Sequence, residues 1–155
     1  MQCRLLADSP SAIPLVARWY YDEWGRDLPD NSAEICAAWL APQVNRERAP
    51  LHLIAVESAV VLGTAALKLR EMVEFPEREH WLGGVFVAPE HRGRGVAAAL
   101  TRFALECAKR IGVRELFLQT DRLDGGLYAR AGFEPVERVQ SEGHDVLVMR
   151  AKQLG

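Results

Sequence analysis

The sequence predicts a mixed α/β domain in which antiparallel hairpins and one parallel β-α-β unit share a sheet flanked by helices. Three observations carry this expectation. Residues 51–69 hold two β-rich runs separated only by Ser58-Ala59, the pattern of an antiparallel pair. Residues 81–120 read as strand, glycine-rich turn, long amphipathic helix and strand, the order of a right-handed parallel β-α-β unit. Residues 133–152 then offer two further β-rich runs around Ser141-Glu142-Gly143, a closing antiparallel hairpin.

Taken in order, Cys3 to Ala7 reads as a first strand. Ser9 or Ser11, with Pro10 nearby, opens a helix through about Trp24. Ile13, Ala17, Tyr20 and Trp24 fall on one side of it. Gly25 to Asp30 is a loop, and Asn31 or Ser32 can cap a second helix, Ala33 to about Leu40, that carries Cys36 and Trp39. Leu51 to Glu57 and Val60 to Leu69 form the paired strands. Residues 71–80, EMVEFPEREH, are polar and contain a proline, so an exposed loop is expected. Trp81 to Val87 is the next strand, followed by a helix from about Gly95 to Ile111. Val96, Leu100, Phe103, Cys107 and Ile111 recur there at three-to-four spacing, so one side packs on the sheet. Gly112 ends that helix, Glu115 to Thr120 is a strand, and Leu127 to Ala131 is a short helix stopped at Gly132. Phe133 to Gln140 and Asp145 to Lys152 complete the sheet.

At 155 residues, 49% apolar and 26% charged, the chain has ordinary globular composition and room for one domain over residues 1–155. Lys plus Arg number 19 against 21 Asp plus Glu, a net charge of −2, which does not suggest a nucleic-acid partner. No apolar run reaches the ~18 residues of a membrane span, and MQCRLLADSP lacks the basic-then-hydrophobic order of a signal peptide. A cytoplasmic protein with no membrane partner is expected. Cys3, Cys36 and Cys107 are widely spaced, without C-x-x-C or a Cys/His metal arrangement, so reduced thiols and no metal are expected. The sequence leaves the oligomeric state open, a homodimer being one alternative.

The most informative stretch is VFVAPEHRGRGVAAAL, residues 85–100. A helix start leaves its first N–H groups without intrahelical partners, and the aligned peptide dipoles add about half a positive charge there. Gly93 and Gly95 carry no Cβ, so the backbone can close on phosphate oxygens, while Arg92 and Arg94 add cationic donors. A pyrophosphate satisfies all of these. Two arginines at a helix start can also be solvated surface. Gly93, Gly95 and Ala98 further satisfy the dinucleotide pattern G-x-G-x-x-A, but that fingerprint normally sits in the first β-α-β unit, whereas this turn comes after some 80 residues and is followed by the helical run ALTRFALECAKRIG. No G-x-x-x-x-G-K-[ST] occurs, so a P-loop enzyme has no support.

This segment resembles motif A of the GCN5-related N-acetyltransferase (GNAT) superfamily, Arg/Gln-x-x-Gly-x-Gly/Ala, on Arg92, Gly95 and Ala97. LYARAGFEPV, residues 127–136, resembles the family's motif B. The resemblance implies a GNAT-like fold: a central, mostly antiparallel sheet in which a parallel pair splays to hold coenzyme A. It implies acetyl-CoA as cofactor and transfer of the acetyl group to a primary amine by direct attack. Val96 and Ala97 would complete the phosphate turn. Gly83-Gly84 marks a bulge or a close backbone approach. In the family, the groups equivalent to Val85 and Val87 pair with pantetheine, and an N–H near Phe86 polarises the thioester carbonyl. Tyr128 stands where the family's tyrosine protonates the leaving thiolate; it is equally a residue type often half-buried in a core. Asp121 replaces an Asn that caps the short helix and contacts the cofactor.

The chain also departs from the commoner family pattern on the strand before Val85. Many relatives carry a Glu or Asp on the strand just before the equivalent of Val85, as general base, where this chain has glycines. Glu79 and His80, at the strand's entrance, are the candidate bases acting through water. The acceptor site would be framed by the first helices and the loop before the motif A strand. Tyr20, Tyr21 and Trp24 are the candidate substrate contacts, accompanied by Trp19, Trp39, Asp22, Glu23, Glu71, Glu74, Glu77 and Glu79. Aromatics and carboxylates suit a cationic amine, and an aminoglycoside, a polyamine, an amino-acid-like metabolite, a protein N-terminus and a lysine all remain open. A non-catalytic acyl-CoA-binding regulatory module is the alternative function.

Overall fold

The computed structural model of the protein describes residues 1–151 and Leu154. A seven-stranded mixed sheet has the order β1-β2-β3-β4-β5-β7-β6. β1 (Gln2–Leu5), β2 (Leu51–Glu57), β3 (Val60–Leu69) and β4 (His80–Val87) are antiparallel neighbours. β5 (Leu116–Thr120) runs parallel to β4. β7 (His144–Ala151) lies antiparallel to β5 and to the edge strand β6 (Glu134–Ser141). The expected end of the last strand, Lys152, lies outside the described residues.

The helices divide between the two faces of the sheet. α3 (Val96–Arg110) buries Val96, Leu100, Ala104, Cys107 and Ala108 against Leu51, Leu53, Ala65, Leu67 and Leu118. Phe103 and Ile111 pack at its margin, as the spacing predicts. A fully buried leucine such as Leu100 contributes roughly 2 kcal/mol of transfer free energy. α1 (Ile13–Tyr20) and α2 (Ala33–Leu40) cover the opposite face through Val16, Ala17, Trp19 and Leu40 on Ile54. Because successive strand residues point to opposite faces, β2 supplies Leu53 and Ala55 to one core and Ile54 to the other. Among the described residues no helix is long and apolar enough to cross a membrane.

Local chemistry explains the boundaries. Ser32 caps α2 by accepting from Ile35 N at 3.0 Å. Beyond α3, Gly112 adopts φ +86° while Val113 N donates to Ala108 O and Gly112 N to Lys109 O, the paired bonds of a glycine-terminated helix end. The hairpin turn is Glu142-Gly143, both at positive φ, the mirror-image turn that suits a twisted two-residue hairpin.

Four expectations differ from what forms. The first strand stops at Leu5, and Leu6–Asp8 winds into a 3-10 turn. Neither Ser9 nor Ser11 caps α1 with its hydroxyl; the Ser9 carbonyl instead accepts from Ala12 N, and Pro14 occupies the first turn. Past Tyr20 the helix widens into a π-helical turn, Tyr21–Gly25, which breaks the 3.6-residue phase and leaves Trp24 half exposed instead of aligned with Ala17. The 71–80 segment is not simply exposed. Met72 is buried with Trp81, Phe117, Val146 and Val148, with Phe75 beside them. The Arg78 guanidinium stacks 4.0 Å from the centre of the Phe75 ring, and Trp81 Nε1 donates to Arg78 O at 2.8 Å. Two apolar residues without periodicity in a charged run carry no sequence signal of burial.

Candidate active site

The site forms where β4 parts from β5. Only Trp81 and Phe117 stand in parallel register, so the later half of β4 has no partner on that side. Opposite Ala65 of β3, β4 carries both Gly84 and Val85: Thr64 pairs with Phe86 and Ala66 with Gly83. This is a β-bulge, and Gly84 takes φ +58° within it. The Tyr20 ring lies 3.5 Å from where a Cβ on Gly84 would stand, so the glycine admits both the bulge and the close approach of α1.

Beyond β4, residues 89–91 form a short turn and Gly93 and Gly95 both adopt positive φ, +77° and +78°. Gly95 is the N-cap of α3, and no side chain caps that end. The first helical bond is Ala99 N to Gly95 O, which leaves the N–H groups of Val96, Ala97 and Ala98 at the open end. A cavity of about 460 Å³ is lined there by Val85, Phe86, Val87, Arg92, Gly93, Gly95, Val96, Ala97 and Tyr128. Among the described residues nothing lies within 4 Å of a Cβ built on Gly93 or Gly95. Open helix-end amides, two glycines facing free space and the unpaired strand beside them fit a diphosphate joined to an extended arm.

The two arginines do different things. Arg92 Nε donates to Val87 O at 3.0 Å, with its guanidinium 5.6 Å from the Phe86 ring centre, and it lines the cavity. Arg94 is outside that lining. It pairs with Glu57 and lies 3.3 Å from His91 Nδ1, and its hydrogen bond and charge hold the Glu57 carboxyl below the usual range.

α4 (Gly126–Arg130) brings Tyr128 over the gap. Its ring meets Phe133 edge-on at 6.2 Å. Burial pushes the Tyr128 phenol up, and the charges of Asp121 and Glu71 push it further. Asp121 does not cap α4: the N-cap is Gly125, with no side-chain cap bond, and Asp124 just before it accepts from Gly126 N at 3.0 Å through Oδ1. Asp121 lines a second cavity, of about 610 Å³, with Glu23, Trp24, Lys68, Glu71, Gly83, Gly84, Val85, Glu142 and Tyr128. Tyr128 and Val85 therefore border both spaces.

A smaller aromatic recess of about 250 Å³ adjoins it, lined by Tyr20, Trp24, Leu28, Trp39, His52 and Gly84. Burial pushes the Tyr20 phenol up to about 12. Of the expected substrate contacts, Tyr20 and Trp24 thus border these spaces. Tyr21 does not, and its ring sits under Arg26.

Glu79 and His80 occupy the far end of β4. Glu79 is half exposed and 4.0 Å from Arg70, and neither residue is among those lining the Tyr128 cavities. At about 3.3 Å per residue, His80 is roughly 16 Å along the strand from Val85. Among the carboxylates that line the larger cavity, Glu71 is the one that lies against Gly83 of β4. Sequence reasoning placed it only among the acidic residues of its loop, and the buried Met72 beside it is what anchors it there.

The acetyltransferase (GNAT) family matches the chain over residues 13–133. No curated protein sequence is significantly similar to it. Among solved structures, a ribosomal-protein-alanine N-acetyltransferase from Brucella melitensis shares 23% identity at TM-score 0.73, covering 98% of this chain and 99% of that one. A protein from Salmonella typhimurium solved with its cofactor acetyl-CoA shares 19% at TM-score 0.71, covering 98% and 93%. A spermidine N-acetyltransferase from Vibrio cholerae shares 16% at TM-score 0.71, covering 99% and 95%. At these identities the three establish a shared fold. Acetyl-CoA is the cosubstrate of the family, and its diphosphate and pantetheine arm are of the kind that the α3 turn and the β4 gap fit. The family match across residues 13–133, on a fold whose strands part beside an open helix end, makes this chain a member of the acetyltransferase (GNAT) family.

Proposed function

We propose that the protein acetylates a primary amine on a cationic acceptor, by direct attack of the neutral nitrogen on acetyl-CoA in a ternary complex. The observation that carries this reading is the position of Tyr128, which borders both the cavity at the α3 turn and the acidic cavity beside it. A group at that junction can serve a bond being broken on one side and a bond being made on the other. Residues 1–155 act as one domain in this reading, supported by the single sheet that all seven strands build.

Each residue set has a task. Arg92, Gly93, Gly95, Val96 and Ala97 hold the pyrophosphate, with Arg94 tied to Glu57 and adding long-range charge only. Val85 and Val87 pair with the pantetheine arm as an added strand. An N–H near Phe86 stabilises the developing oxyanion, a contribution of a few kcal/mol to the barrier in comparable sites. Tyr128 gives its proton to the leaving thiolate; its phenol stays protonated through neutral pH because burial and the neighbouring carboxylates raise it.

The acceptor is read from the lining. Glu23, Glu71, Asp121 and Glu142 face the larger cavity with one cation, Lys68, and Glu74 and Asp145 continue the acidic surface into a neighbouring cavity that shares Glu71, Asp121 and Glu142. This surplus of carboxylates favours an amine of multiple positive charge. Structural neighbours named for spermidine, an aminoglycoside and a ribosomal-protein alanine define the panel to try. The test is thiol release from acetyl-CoA with spermidine, kanamycin and a peptide beginning with alanine. Amine-dependent release with an acetylated product supports the proposal. Tight acetyl-CoA binding without release on any amine favours a non-catalytic acyl-CoA-binding module.

A further inference from the structure

We propose that Glu71 is the catalytic base of the acetyl transfer, its carboxylate standing over Gly83 where β4 and β5 part. The assignment rests on the N-acetyltransferase reading above.

A side chain on Gly83 would have no room. A Cβ there would collide with Glu71 Oε1 and lie 2.9 Å from Lys68 Cδ. Glu71 thus brings, from outside the strand, a carboxylate to the place that a short acidic side chain on β4 would reach. Two donors orient it from either side of β4. Lys68 Nζ on β3 donates to Oε1 at 3.2 Å, and Gln119 Nε2 on β5 donates to Oε2 at 3.2 Å. The next residue, Met72, is buried against Trp81 and Phe117, which fixes the backbone that carries it. The Glu71 side chain is 17% exposed, against 52% for Glu79. Facing the same cavity are Tyr128 from α4, Asp121 beyond β5, Glu23 from the turn after α1, Glu142 from the β6–β7 turn and Lys68.

The proton balance decides which proton Glu71 takes. An ammonium near pKa 10.4 would give its proton to a carboxylate near 4.3 with a disfavour of about a million-fold. The first proton therefore leaves to solvent as the amine binds. The neutral nitrogen attacks the thioester carbonyl carbon, the C–N bond forms, and the nitrogen becomes strongly acidic. Glu71 takes this second proton and passes it to solvent. The C–S bond breaks, Tyr128 protonates the sulfur, and Tyr128 regains a proton from solvent. One proton is released per amine acetylated, and no other reactant is needed.

Three variants test this with the best acceptor of the amine panel. Glu71→Gln keeps the shape of the side chain and removes its basicity. The expected result is a fall in kcat of about a hundredfold with an acetyl-CoA Kd within threefold of wild type. A readout independent of turnover accompanies it: with the Glu71 charge gone, the Tyr128 phenol ionises at lower pH, seen in tyrosinate absorbance. Glu71→Ala combined with Gly83→Asp returns a carboxylate to the same place from the strand and regains at least a tenth of the wild-type rate. A Glu71→Gln rate within threefold of wild type overturns the assignment, as does a Glu23→Gln variant that loses activity while Glu71→Gln retains it. Wild type that binds acetyl-CoA but turns over no amine overturns the transferase reading, and the assignment with it.

Discussion

Tyr20 Oη lies 3.0 Å from Nδ1 of His52, joining the first helix to the second strand beneath the aromatic recess. Burial lowers the His52 pKa to about 4, and the Lys68 charge lowers it further in the same direction. With the Tyr20 phenol held protonated, Tyr20 donates and the neutral imidazole accepts. Among the described residues His52 Nε2, which is buried, finds no hydrogen-bond partner. The unfolded chain binds a proton at this residue near pH 6.5, the folded protein only near 4. Between these values the unfolded state holds more protons, so stability falls as pH drops from about 6.5 to about 4 and is insensitive to His52 above that window. The loss attributable to His52 is of order 3 kcal/mol. Urea unfolding at a series of pH values, wild type against His52→Gln, measures it; parallel curves for the two proteins would contradict the buried neutral imidazole.

The two arginines of the turn should separate on titration with acetyl-CoA. Arg92 borders the phosphate cavity, whereas Arg94 is committed to Glu57. Arg92→Ala is expected to weaken binding about tenfold or more, the worth of one charge-assisted hydrogen bond. Arg94→Ala should stay within about threefold at physiological salt, where a surface charge at a distance is screened. Equal losses in the two variants would place Arg94 on the phosphate after all.

Tyr128→Phe removes the hydroxyl and leaves the ring against Phe133. The expected result is a fall in kcat of about a hundredfold with acetyl-CoA affinity unchanged. Since the phenol is raised above its ordinary value near 10 by burial and by Asp121 and Glu71, the acid form persists to high pH, and the alkaline limb of the wild-type rate lies above pH 10. Full activity in the variant, or an alkaline limb well below 10, removes Tyr128 from the chemistry.

Met72→Ala tests whether the segment before β4 is part of the site. Met72 is buried against Trp81 and Phe117, so truncation should destabilise the fold by about 2–3 kcal/mol. It should also lower kcat, because the backbone beside Glu71 loses its anchor. Loss of stability with kcat intact would mean that the segment only covers the sheet.

Much of this architecture is legible in the residues. The α3 stripe from Val96 to Cys107 and the Gly112 stop needed only periodicity and glycine chemistry. The cap expected from Asn31 or Ser32 falls to Ser32, and the turn expected at Ser141-Glu142-Gly143 narrows to Glu142-Gly143 with Ser141 in β6; both are local signals. The bulge was readable as an unusual Gly83-Gly84 pair within a strand. Long-range placements were not readable. That Arg94 turns to Glu57, thirty-seven positions away, depends on tertiary packing. Glu71 illustrates the limit most directly. Its orientation comes from Gln119, forty-eight positions on, and from space that only Gly83 leaves open.

The measurement that bears most directly on the account is calorimetric titration of wild type and Gly95→Glu with acetyl-CoA. Gly95 sits at φ +78° with free space in front of it, so a glutamate there strains the turn and sets a carboxylate where the phosphates would lie. Binding of wild type with a Kd of about micromolar, a free energy near −8 kcal/mol, and its loss in a variant that keeps the wild-type circular dichroism spectrum is the predicted result. Absence of binding to wild type, or equal binding to both proteins, would contradict the account at its centre.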